Sequence, residues 1–241
     1  MIAHVSSKTS AIATSVLSRG MSLPEEDTTS INSMLQKLEQ FSEPLEQVSS
    51  YDFDCLALNR AVGRENTFAI VIFKIIHELP QTASDFGLIN NDKLISFLTA
   101  IYAGYRRDVQ YHNDLHGADV AQSMYMFIKD GDLGNIAQLN YLDMVSAITA
   151  AACHDYDHDG YNNAYHVNFM TDRALRYHDK AVQENWHASE SMRVLLETCN
   201  NFVEGFSEDE KKVLRKRIVG MILATDMANH TSQVNVMKYK V

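Results

Sequence analysis

The chain has 241 residues, a formal net charge of −10 and an apolar content of 46%. That is length enough for one sizeable core, and the acidic balance excludes a non-specific binder of nucleic-acid polymers, which needs a basic footprint. A phosphate substrate stays admissible, because bound divalent cations can supply the positive charge.

The first 24 residues contain no Asp or Glu, are rich in Ser, Thr and Ala, and carry Lys8 and Arg19. Without a cluster of arginines this reads as a polar tail rather than a targeting peptide. Residues 1–50 form the expected N-terminal tail, with one amphipathic helix in INSMLQKLEQF at 31–41. Only Pro24, Pro44 and Pro80 occur, so the rest of the chain can run through helices uninterrupted. FAIVIFKIIHEL at 68–79 is apolar nearly all round, as a central helix is. Lys74 breaks it, and it falls short of the roughly 20 residues that cross a bilayer, so no transmembrane segment is expected. KLISFLTAIYAGYR repeats Leu94, Phe97, Ile101 and Tyr105 at three- and four-residue steps. HGADVAQSMYMFI continues as a helix to the DGDLG turn, and LNYLDMVSAITAAACHD is a helix of small residues suited to close packing. Ser207 opens a capping box with Glu210, ahead of KKVLRKRIVGMILATDM, basic in its first half and apolar in its second. No strand alternation and no internal repeat is found, so the fold class is all-α, a compact multi-helix domain. Cys55, Cys153 and Cys199 show no CxxC spacing, which points to free thiols in a reducing setting and a cytoplasmic location.

Two stretches concentrate the ionisable groups. YHNDLHGADV places His112 and His116 four apart, one helical turn. AACHDYDHDGYNN holds His154, Asp155, Asp157, His158 and Asp159 within six positions at the end of an apolar helix. Imidazole and carboxylate together suit zinc, manganese or magnesium. Carboxylates carried into a core need a counter-charge, since burial otherwise raises their pKa and neutralises them. Either stretch alone is a weak signal; both in one helical chain are a strong one. A zincin is excluded because Asn113, not Glu, follows the first histidine. Asp119 is expected to be structural or exposed, Asp157 to order its own turn, and His166 and His178 to serve loop or surface roles. Trp186 suits core packing or a lid contact, and Met124 and Met126 suit the core.

YHNDLHGADV, AACHDYDHDG and ILATDM, in that order, resemble the catalytic domain of the class I 3′,5′-cyclic nucleotide phosphodiesterases, whose strings run close to YHNxxHAxDV, HDxDHxG and LATDM. The resemblance covers roughly 51–241, including GYRRDVQ and the ENWH segment at 184–187. It implies an all-helical fold of the phosphodiesterase type and two divalent metal ions, Zn²⁺ with Mg²⁺ or Mn²⁺. It further implies hydrolysis of cAMP or cGMP to the 5′-monophosphate, by in-line attack of a hydroxide bridging the metals. Carried across by position, His116, His154 and Asp155 are metal ligands, with Asp155 bridging to the second ion. His112 is the general acid, and Glu184 orients its ring. His158 and Thr225 hold metal-bound waters, while Tyr111, Asp226 and Met227 contact substrate. Gly117 stands where the family commonly has Ala, Asp159 where Pro is usual, and Trp186 where a second His is usual. The family also has a further Asp ligand, a purine-binding Gln and an aromatic clamp beyond LATDM. Residues 51–241 are therefore expected to be the N-terminal two-thirds of a catalytic domain, its C-terminal part missing and its turnover alone little or none. The alternatives are an HD-type phosphohydrolase with another nucleotide substrate, and a non-catalytic regulatory product that binds partners or competes for dimerisation. A homodimer is among the expected assemblies.

Overall fold

Short polar side chains punctuate the chain where helices begin. Asp54, Asn90, Asn113, Asn162 and Thr171 each accept a hydrogen bond from a backbone N–H of the following turn. Asn140 with Asp143, and Ser207 with Glu210, form reciprocal capping boxes. The protein is described by a computed structural model over residues 25–238; of the tail expected over 1–50, residues 1–24 lie outside the described residues.

Thirteen α-helices follow one another in the described residues, with no strand among them. They are α1 Glu25–Gln40, α2 Ser42–Glu46, α3 Cys55–Val62, α4 Arg64–Glu78, α5 Asn91–Gly104, α6 Asp114–Lys129 and α7 Leu133–Ile136. The remainder are α8 Tyr141–Cys153, α9 Asn163–Asn168, α10 Asp172–Tyr177, α11 Val182–Leu196, α12 Glu208–Leu223 and α13 His230–Lys238. The DGDLG turn contains the start of α7, and ATDM falls beyond the end of α12 rather than inside it.

The apolar run of α4 is buried from Phe68 to Phe73 and again at Ile75 and Ile76, as its all-round pattern requires. It packs on α6, which packs on α8, which packs on α12. The Ala-rich face of α8 buries Ala147, Ala150, Ala151 and Ala152 and lets its neighbours approach. This stack positions the site, because α6 begins and α8 ends at the same end of it.

Two buried polar ties fix the register. Asp114, in the first turn of α6, is fully buried between Arg64 at 2.8 Å and Arg107 at 2.9 Å. Midway along α6, Gln122 Nε2 donates to the carbonyls of Val48 and Ser50 at 3.0 and 2.9 Å. Glu78 accepts there from Ser49, Tyr125 and Lys74. Residues 45–50 are thereby strapped across α4 and α6, with Leu45 and Val48 buried in the same core as Met34 and Leu38 of α1.

Candidate metal centre

Asn113 caps α6 through the N–H groups of Leu115 and His116, which puts His116 in the first turn. His112 therefore lies before the helix, not one helical turn along it; its ring centroid is 6.2 Å from that of His116. The helix stops at this point because the Asn113 side chain, not a further turn, satisfies its first amides. On the other side, α8 ends at Cys153, His154 is its C-cap, and Asp155 opens the turn that follows. Tyr105 Oη donates to the Ala152 carbonyl at 2.9 Å and anchors the end of α8.

Three side chains from these two helix ends converge. His116 Nε2 is 3.3 Å from His154 Nε2, and both approach Asp155 Oδ2, at 3.5 and 3.2 Å. His154 Nδ1 lies 2.8 Å from the Ala151 carbonyl, which can only accept, so the hydrogen sits on Nδ1 and the Nε2 lone pair faces the cluster. Asp155 Oδ2 is buried without a hydrogen-bond partner. Burial pushes His116 below the ordinary imidazole range, and neighbouring His154 pushes it further. His154 is net raised, burial being outweighed by the Asp155 carboxylate. Asp155 is held well below the usual carboxylate range, again against burial, by His154 and the surrounding imidazoles. Lone pairs crowded in this way need a shared positive charge, and two imidazoles with one carboxylate make a donor set that fits a divalent cation.

The cluster forms the floor of a cavity of about 800 Å³ whose lining carries Asp155, Glu184 and Asp226 but no Lys or Arg. His112, His158, Thr225 and Met227 also line it. The His112 ring stacks on His158 at 4.1 Å, and His158 Nδ1 accepts from the Gly160 N–H at 2.9 Å. Burial, with His112 next, pushes His158 down to about 4. Glu184 Oε2 accepts from Asn163 Nδ2 at 2.9 Å, and burial raises its carboxyl. No hydrogen bond joins Glu184 to His112 among the described residues. Thr225 donates to the Ile222 carbonyl at 2.7 Å, and Asp226 caps the short turn Met227–Asn229. Tyr111 stands outside the lining, 65% exposed, its ring backing His116 at 4.6 Å.

Several residues read as bystanders have larger roles. His166 is buried, not on a loop surface; it faces Thr171 Oγ1 at 2.8 Å and Asp159 Oδ1 at 3.3 Å. Asp157 pairs far along the chain rather than within its own turn, accepting from Arg106 at 2.7 Å, Arg173 at 3.0 Å and Trp186 Nε1 at 2.9 Å. Met126 is core, but Met124 lines the cavity. Asp119 and His178 are exposed. His187 went unassigned in the sequence. It lines the cavity with its Nε2 4.0 Å from Asp155 Oδ1, and burial pushes it down to about 3. Its one sequence signal is the three-residue step from Glu184, which puts both on one face of α11.

Residues 111–241 match the family described as 3′5′-cyclic nucleotide phosphodiesterase. The "3′,5′-cyclic-nucleotide phosphodiesterase regA" of Dictyostelium discoideum is 39% identical over 149 residues, 61% of this chain and 18% of that protein. The "Dual specificity calcium/calmodulin-dependent 3′,5′-cyclic nucleotide phosphodiesterase 1B" of Mus musculus is 32% identical over 200 residues, 80% of this chain and 36% of that protein. The "Probable 3′,5′-cyclic phosphodiesterase pde-1" of Caenorhabditis elegans is 30% identical over 205 residues, 83% of this chain and 29% of that protein. The chain thus spans between 18% and 36% of the length of these relatives.

Proposed function

Because the chain belongs to the 3′5′-cyclic nucleotide phosphodiesterase family, we propose that its cavity binds a 3′,5′-cyclic nucleotide, cAMP or cGMP, and that the protein hydrolyses it to the 5′-monophosphate. The observation that carries this is the meeting of His116, His154 and Asp155 on one point in a cavity lined by carboxylates and lacking Lys and Arg. Those three residues would hold a divalent ion, Zn²⁺ by preference for imidazole, with Asp155 shared towards a second, harder ion such as Mg²⁺ or Mn²⁺. Ions bound there neutralise the phosphodiester and make an attacking water acidic.

The remaining steps belong to the chain's own side chains. The departing 3′-oxygen needs a proton, and His112 is the half-exposed imidazole at the cavity wall that can give it. Stacked against it, His158 is pushed down to about 4 by burial and stays neutral near pH 7. Glu184, held by Asn163, and Asp226 place carboxylates on the same wall. Thr225 and His158 hold water, and Met227 flanks the entering nucleotide, while Tyr111, outside the lining, backs the His116 ring. The protein acts in the cytoplasm on this reading; no described helix is long and apolar enough to cross a membrane.

Metal content and 5′-nucleotide release, compared for wild type, His154→Ala and His112→Ala, test the proposal. His154→Ala should lose the metal. His112→Ala should keep the metal and, in an active longer form of the protein, lose about 10²–10⁴-fold in turnover, the usual share of a general acid. A wild type that binds no divalent cation overturns the reading. Metal retained with no turnover even in a longer form that completes the catalytic domain would move it to a binding product.

A further inference from the structure

The helix that carries Glu184 begins without a cap of its own. Ala181, its N-cap, has a left-handed backbone at φ 42° and no side-chain atom that can accept from the first amides of α11. Elsewhere in the fold a short polar side chain at this position supplies the acceptor. Here it comes from another element. Asn163, the first residue of α9 and 20 residues earlier in the chain, accepts through Oδ1 from the Gln183 N–H at 2.8 Å, the second amide of α11. The same carboxamide donates from Nδ2 to Glu184 Oε2 at 2.9 Å. These two bonds fix which way the amide faces, since a flipped carboxamide would set donor against donor and acceptor against acceptor. In a capping box the cap accepts from a first-turn amide, and the Glu at the third helical position accepts in return. Glu184 holds that third position, and Asn163 makes both halves of the box from outside the helix. Gln183 cannot drift away from it. Its side chain donates to Asp159 Oδ1 at 2.8 Å and to the Tyr161 carbonyl at 2.7 Å, and accepts from Arg173 at 2.6 Å.

We propose that Asn163 is the positioning residue of Glu184: it ties one carboxylate oxygen, Oε2, to the start of α11 and leaves Oε1 as the oxygen that serves His112 or a water beside it. The inference rests on the reading above, in which His112 gives the proton and Glu184 shares its wall, and it names what aims that carboxylate. Asn163, Gln183 and Glu184 all line the cavity, so the box is part of the wall itself. A glutamate without such a tie spreads over several staggered rotamers, and only some of them keep the carboxylate at the wall. Charge depends on the same bond. Burial raises the Glu184 carboxyl, and the Asn163 bond is the largest influence holding it down. The start of α11 works in the same direction, because a helix N-terminus favours negative charge in its first turn.

Nuclear magnetic resonance on the full chain tests this with two variants. Asn163→Asp keeps an oxygen for the Gln183 N–H and removes the donor to Glu184, whereas Asn163→Ala removes both. By its three-bond couplings the Glu184 side chain should occupy one χ2 rotamer in wild type and average over several in both variants. The Gln183 amide should exchange with solvent as slowly in Asn163→Asp as in wild type, and about fivefold faster in Asn163→Ala, the loss of a typical cap. Zn²⁺ content should be the same in all three proteins. An averaged Glu184 in wild type overturns the inference. So does a single rotamer in Asn163→Asp, since the helix start alone would then order the side chain. Loss of Zn²⁺ in Asn163→Asp also overturns it, because Asn163 would then support the floor of the cavity and not one carboxylate. An ordered Glu184 in a wild type that binds no Zn²⁺ would sink the reading of the cavity and the role with it, so the two failures are told apart. Should Asn163→Ala fail to fold, wild type and Asn163→Asp decide by the same couplings.

Discussion

At the scale of single residues, the floor of the site depends on a missing methyl group. A Cβ on Gly117 would lie 2.9 Å from Tyr105 Oη, 3.2 Å from the Ala152 carbonyl and 3.3 Å from the Phe68 ring. Tyr105 Oη is the group that anchors the Ala152 carbonyl, two residues before His154. Gly117 sits beside His116, so its small size lets the helix bearing one imidazole come against the helix end bearing the other. Ala in place of Gly gains about 1 kcal/mol of helix propensity, but overpacking a filled site costs about 1–3 kcal/mol. Gly117→Ala should therefore be destabilising by about 1 kcal/mol net and should weaken metal binding. Thermal melts and metal titration check this, and in a Tyr105→Phe background the added cost should shrink, because one crowding atom is gone. A Gly117→Ala protein as stable and as metal-avid as wild type would show that the contact is slack.

At the scale of elements, two of the three departures from the family strings, Asp159 and Trp186, belong to one structure. Asp159 accepts from Gln183 Nε2 at 2.8 Å, Trp186 donates to Asp157 at 2.9 Å, and Arg173 joins them. Arg173 donates to Asp157 at 3.0 Å, lies 3.5 Å from Asp159, and places its guanidinium 4.2 Å from the centre of the Trp186 ring. This ties the turn after His154 and Asp155 to α10 and α11. Arg173→Leu removes the cation that Asp157 and Asp159 share, although Asp157 keeps Arg106, and should cost about 1–3 kcal/mol, the scale of leaving a part-buried acceptor unpaired. Adding Asp157→Asn and Asp159→Asn should return part of it in denaturant titrations; equal losses in the single and triple variants would refute the pairing. The long helices α4, α5, α6, α8 and α12 were legible, because the all-round apolar run of α4, the apolar steps of three and four along α5 and the capping box at Ser207 are local signals, whereas α3, α9, α10 and α11 carry no such signal. The ties were not. Asp114 to Arg64, Asp157 to Arg173 and His187 to Asp155 join residues too far apart in sequence to leave any periodic trace. The strap at 47–50 was hidden for the same reason, and it should be acid-sensitive. Burial raises the Glu78 carboxyl, but bonds from Lys74, Ser49 and Tyr125 outweigh it and leave it lowered. A carboxyl lowered on folding contributes its full stability above the unfolded value near pH 4.3 and loses it as pH falls through the folded value. Melting temperature should therefore drop on acidification below that point more steeply in wild type than in Glu78→Gln; parallel curves would refute the assignment.

At the scale of the molecule, the site and the core are one object. His116 is in the first turn of α6 and His154 closes α8, and these helices occupy the centre of the stack that runs from α4 to α12. An ion held by His116, His154 and Asp155 would cross-link two helix ends 38 residues apart in sequence. The unfolded chain cannot assemble that donor set, so binding energy is added to folding energy. At 100 times its dissociation constant an ion that binds only the folded state adds about 2.7 kcal/mol. In chains of 150–250 residues each kcal/mol moves the melting temperature by about 2–4 °C, which gives a rise of roughly 5–10 °C. Zn²⁺ or Mn²⁺ should raise the midpoint of wild type by that amount, and a chelator should reverse it. The midpoint of His154→Ala should not respond to either ion. His112→Ala should respond as wild type does, because its ring lies on the cavity wall and not among the converging lone pairs. A wild-type midpoint indifferent to both ions would mean that the three side chains meet without holding a cation, and the buried Asp155 oxygen would then have to find its positive charge in a protonated imidazole.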